Sequence, residues 1–173
     1  MTKKILAAAI AAACAVALTA GPAHAGDGDG DGGRTTIVFG LEPDLVGPTS
    51  CPASLFGFAL RITSLKGSPL GTGQTCIDTI DGCEPFAAFC RRTVRATLTL
   101  SLARGSLTVP IKLLEVLPTE SSFIQLGSGK VTAGSGAYAV AKGRVAGGGA
   151  GAFDEQLAFA GRLVYTAHLT GVR

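Results

Sequence analysis

Val94-Arg95-Ala96-Thr97-Leu98-Thr99-Leu100-Ser101-Leu102-Ala103-Arg104-Gly105-Ser106-Leu107-Thr108-Val109-Pro110-Ile111-Lys112-Leu113 decides the fold. Val94, Ala96, Leu98, Leu100 and Leu102 alternate with Arg95, Thr97, Thr99 and Ser101, and the apolar residues resume at Leu107, Val109, Ile111 and Leu113. Successive side chains of a strand point to opposite faces, so each half reads as a strand with one dry and one wet face. Arg104-Gly105-Ser106 supplies the tight turn, because glycine takes positive φ without a steric penalty, and the two halves form a β-hairpin.

Outward from this hairpin the same period of two recurs between Gly-rich breaks, and no amphipathic helix is legible. The pattern predicts eight strands: Thr35–Phe39, Ser54–Leu65, Leu70–Ile80, Cys90–Ala103, Ser106–Val116, Ser122–Ala133, Gly136–Ala146 and Phe153–Leu169. In the last of them Leu157, Phe159, Leu163, Tyr165, Ala167 and Leu169 share one face. Eight long strands in one open sheet leave unpaired edges, and closing the sheet removes them. The expected fold is therefore all-β, an eight-stranded antiparallel β-barrel over residues 35–173, with a sandwich as the second architecture.

The chain has 173 residues. Lys3 and Lys4, the apolar run from Ile5 to Leu18 and the small-x-small site Ala23-His24-Ala25 read as a signal peptide over residues 1–25. The run is too short for a bilayer, which needs about 20 apolar residues. Cys14 lacks the setting of a lipidation site and leaves with the signal, as does His24. The expectation is a secreted protein, extracellular or periplasmic, with no stable membrane insertion after cleavage. Residues 26–34 open with Gly-Asp-Gly-Asp-Gly-Asp-Gly-Gly, which offers nothing to bury and reads as a disordered linker. Asp27, Asp29, Asp31 and Gly32 match half of a calcium loop, but Val38 stands where the bidentate glutamate belongs.

Removing residues 1–25 takes away two lysines and leaves 13 basic against 12 acidic side chains in 148 residues. Without a basic cluster the chain is not read as a nucleic-acid binder. Cys51, Cys76, Cys83 and Cys90 remain, an even number in a secreted chain, and two disulfides are expected. A zinc site is the rival use, but no Cys-x-x-Cys knuckle occurs. If hairpins turn about Lys66-Gly67-Ser68-Pro69 and near Cys83, the pairing is Cys51–Cys83 with Cys76–Cys90, one of three connectivities that strand register decides.

Catalytic options are few. His168 is the last histidine, lies on the wetter face of its strand and has no G-x-S-x-G elbow or H-E-x-x-H pair to join. Asp154 and Glu155 are adjacent, so within a strand they face opposite sides and do not make the facing carboxylates of a glycosidase. No cofactor and no metal are expected.

Gly134-Ser135-Gly136-Ala137-Tyr138-Ala139-Val140-Ala141-Lys142-Gly143 sets one aromatic among glycines. Gly134 and Gly136 permit a sharp corner, Tyr138 buries its ring, and Gly143 lets a neighbouring backbone approach. This stretch, with Gly71-Thr72-Gly73 and Phe159-x-Gly161-x-Leu163-x-Tyr165, resembles the dirigent and allene oxide cyclase-like barrels, bacterial secreted members included. The resemblance implies a barrel with an apolar cavity, and either ligand binding or scaffolding there or a cyclase, isomerase or coupling-directing activity governed by cavity shape. Arg61, Arg95, Glu115, Tyr138 and Tyr165 are the pocket candidates, each with a plainer reading: the charged residues as a solvated outer face, the tyrosines as packing. The implied partner is an apolar small molecule, and an oligomer is compatible with the pattern.

Overall fold

A computed structural model describes residues 33–45, 50–83 and 88–173. The signal segment, the half calcium loop and nearly all of the Gly/Asp linker lie outside the described residues. Among the described residues nine strands form: β1 (Thr35–Asp44), β2 (Phe56–Thr63), β3 (Pro69–Gly82), β4 (Cys90–Leu102), β5 (Gly105–Leu117), β6 (Ser122–Lys130), the two-residue β7 (Ala133–Gly134), β8 (Lys142–Phe153) and β9 (Phe159–Thr170). The eight long strands run in the order β4-β3-β2-β1-β9-β8-β6-β5, and the β4–β5 hairpin closes the ring. Every neighbouring pair is antiparallel. The protein is a closed eight-stranded antiparallel barrel.

The deciding hairpin has the register its alternation requires. Leu98 faces Val109 and Leu100 faces Leu107, around the two-residue connection Ala103-Arg104. Their inward side chains join Phe39, Ile62, Val145, Tyr165 and Leu169 in one buried core. β5 is shared lengthwise between β6, which pairs Ile111 to Val116, and β7, which pairs Leu107 and Thr108. Pro110, which has no N–H to give a ladder, falls between the two pairings.

Three expectations are corrected. First, residues 136–146 are not one strand: Gly136–Tyr138 form a 3-10 turn, and β8 begins only at Lys142. Gly136 stands at φ 58°, and a Cβ there would strike the Arg104 carbonyl oxygen, so the chain reverses instead of extending. Second, Gly147 to Ala152, read as the break before the last strand, are the middle and end of β8, and Phe153 belongs to it too. These residues carry a full ladder on both sides, Gly127 opposite Gly147 on β6 and Tyr165 opposite Gly147 on β9.

Third, the disulfides are Cys51–Cys76 and Cys83–Cys90. The β2–β3 register is close to the one assumed, with Phe58 opposite Thr75, but β2 starts at Phe56. The chain before it turns back, the Ser54 amide donating to the Cys51 carbonyl. Cys51 Sγ therefore lies over Gly57, whose cross-strand partner is Cys76. In the β3–β4 hairpin Gly82 pairs with Arg92, so the loop is centred later than Cys83 and is spanned by Cys83 and Cys90. Two disulfides fit an oxidising, extracellular-type environment.

Candidate functional site

The two ends of the barrel differ. At one end the β7 segment and the 3-10 turn fold over the start of β5 and bring Tyr138, 5% exposed, into the core. Gly134 lies in β7 and Gly143 near the start of β8, beside the His168 carbonyl oxygen. At the other end a cavity of about 230 Å³ opens between the loops. Its depth is apolar, lined by Leu41, Leu60, Val94, Leu98, Ile111 and Leu113. Its rim carries exposed Phe56 and Leu157, with Glu120 and Asp154 as the acidic members. Both disulfides sit among the segments of this open end.

The interior of an eight-stranded barrel is normally just wide enough for side chains to fill. Here β8 contributes glycine at the inward positions 147, 149 and 151. A Cβ on Gly147 would meet Tyr165 Cα at 2.6 Å and Cγ at 2.9 Å, so the tyrosine ring lies back on the β8 wall instead of crossing the lumen. The Phe159 ring covers Gly151 in the same way. Phe39 stacks on Tyr165 with centroids 6.4 Å apart, and Phe123, Phe153 and Phe159 cluster nearer the rim.

One polar row crosses this apolar wall. Arg92, Glu115 and Gln125 are successive cross-strand partners on β4, β5 and β6. Arg92 Nε donates to Glu115 Oε2 at 2.6 Å, and the two side chains are only 15% and 9% exposed. Gln125 Nε2 donates to Tyr165 Oη at 2.9 Å. Burial pushes the Tyr165 hydroxyl up to about 12, the Gln125 hydrogen bond opposing and the Glu115 charge adding to the shift. The phenol is thus neutral, with a proton of its own to give. Arg92 Nη1 is buried and has no hydrogen-bond partner among the described residues.

Of the five pocket candidates read from the sequence, the fold brings Glu115 and Tyr165 together at the cavity. Glu115 is 7% exposed, which corrects its reading as an outer-face residue. Arg61 and Arg95 are exposed on the outer wall, Arg61 beside Glu42 at 3.3 Å. Tyr138 is packed at the closed end. His168 is likewise outside, its ring 3.2 Å from the Thr36 hydroxyl. Arg92 and Gln125 were missed, although Arg92 shares the parity of Val94, Ala96 and Leu98, and that of Leu107 to Leu113 runs on to Glu115.

Chemically, Arg92, Glu115, Gln125 and Tyr165 place hydrogen-bonding groups and one buried carboxylate along the wall of an otherwise apolar cavity. Comparison with family models, with curated proteins and with solved structures returns no match.

Proposed function

We propose that the protein is a secreted barrel that binds an apolar small molecule in its open-ended cavity, akin to the dirigent and allene oxide cyclase-like barrels. The observation that carries this reading is the lumen itself: apolar to its depth, open at one end, and kept clear by aromatic rings lying against glycines of β8. Small apolar sites with a few placed polar groups are the usual form of ligand pockets. At about 230 Å³ the cavity falls below the roughly 300–1,000 Å³ of drug-sized sites, so the ligand is small.

A second reading, turnover by a cyclase, isomerase or coupling-directing reaction, is favoured by the buried Arg92–Glu115 pair beside a neutral tyrosine. Native mass spectrometry of the mature protein from its own secretion medium tests the first reading. The expected spectrum carries a co-purifying small molecule and lacks four thiol protons. A clean apo mass that takes up no apolar compound from a mixed panel would sink the binding reading. Conversion of the bound species on standing would move the protein to the second.

A further inference from the structure

We infer that the cavity selects a neutral apolar molecule carrying one hydrogen-bond-accepting oxygen, such as a ketone, ester or aryl ether, and seats that oxygen on the Arg92 guanidinium. This rests on the binding reading above and adds the chemistry of the head group.

A guanidinium carries five N–H donors in a fixed fork and has no acceptor. In Arg92 the Nε–H is given to Glu115, while Nη1 is buried and has no hydrogen-bond partner among the described residues. Arg92 lines the cavity with its Nη1 just beneath the wall. An unmade hydrogen bond on a buried charged donor is costly, so an acceptor entering the lumen that draws Nη1 to the surface is favoured there. The Tyr165 hydroxyl already accepts from Gln125, which leaves it a donor as well. Both groups offered to a guest therefore seek oxygen lone pairs.

The charge balance decides which oxygen. Glu115 already neutralises Arg92, and Glu120 and Asp154 line the approach. A carboxylate head group would meet three carboxylates and one guanidinium, whereas a carbonyl or ether oxygen loses little on leaving water and meets no repulsion. An ammonium head group would be held at the acidic rim and repelled from Arg92. The rest of the guest faces leucine, isoleucine and valine.

Titration calorimetry of the mature oxidised protein with 2-acetylnaphthalene, 2-ethylnaphthalene and 2-naphthoate at neutral pH separates the possibilities, since the three share one ring system. The ketone should bind at least about tenfold more tightly than the hydrocarbon, because a hydrogen bond to a charged donor is involved, and more tightly than the carboxylate. In the double variant Arg92→Met with Glu115→Leu, which replaces the ion pair by apolar side chains, the ratio of ketone to hydrocarbon affinity should fall to about one. Equal binding of ketone and hydrocarbon to the wild type, as when water already satisfies Nη1, overturns the inference and leaves the binding barrel standing. A preference for naphthoate overturns it too. Failure of all three probes to bind overturns both it and the reading on which it rests.

Discussion

Tyr165 is 1% exposed, and its hydroxyl is the end of a hydrogen bond from a glutamine that is itself buried. Tyr165→Phe would strand the Gln125 amide, and we expect a loss of about 1–3 kcal/mol in urea unfolding. Adding Gln125→Leu should recover part of it, because the second change removes the orphaned group. The raised pKa gives a second readout. Folding lifts this hydroxyl from the usual 10.0 to about 12, so its contribution is whole below about pH 10 and is lost as pH rises through about 12. The stability gap between wild type and Tyr165→Phe should therefore shrink across that window, and a constant gap would show that the phenol does not titrate late. Glu115→Gln leaves the Arg92 charge uncompensated in a buried site and should cost about 3–5 kcal/mol. At this scale the sequence was half legible. Counting in twos from Leu107 reaches Glu115, and counting back from Val94 reaches Arg92, but a charge near a strand end reads by default as solvated. Only the register, Arg92 opposite Glu115, reveals that each buries the other.

Elements show where alternation stops being informative. β4 and β5 were readable because, from Val94 to Leu102 and from Leu107 to Leu113, every second residue is apolar and, Ala96 apart, branched, whereas the glycines of β8 have weak strand preference and suggest a turn. They hold a strand because the neighbouring ladders are complete and rings from β9 supply the missing side-chain bulk. Gly147→Val is the test: the new side chain would press on Tyr165, and we expect destabilisation by about 1–3 kcal/mol with loss of the late phenol titration. The two disulfides differ in the same readable way. Cys51–Cys76 closes a separation of 25 residues and Cys83–Cys90 one of 7. Replacing both cysteines of the longer loop by serine should cost about 3.5 kcal/mol, against about 2.4 for the shorter, on loop-closure entropy. Equal losses in urea unfolding would show that the loops are not the source. The pairing itself was illegible because it hinges on where β2 begins, and a chain reversal over Gly57 leaves no mark in the hydrophobic pattern.

For the whole molecule, closure depends on β1, which pairs on one side with β2 and on the other with β9. Barrel topology followed from the number of strands and the hazard of edges, and the observed ring bears that argument out. Deleting residues 35–41 would expose the flanks of β2 and β9 together. Such a chain should aggregate and lose its single cooperative unfolding step, as size-exclusion chromatography and thermal melting would report.

The same pairing sets Thr35 opposite Leu169, so the first and last strands of the fold lie side by side. Topologically the barrel is a loop with an arbitrary cut. Joining residue 173 to residue 33 through a short Gly/Ser tether and opening the chain at Lys66, in the exposed Ser64–Ser68 turn, gives a circular permutant in which every strand keeps both neighbours. Its new ends would emerge far from the cavity mouth, and a fusion partner could be carried there without shading the entrance.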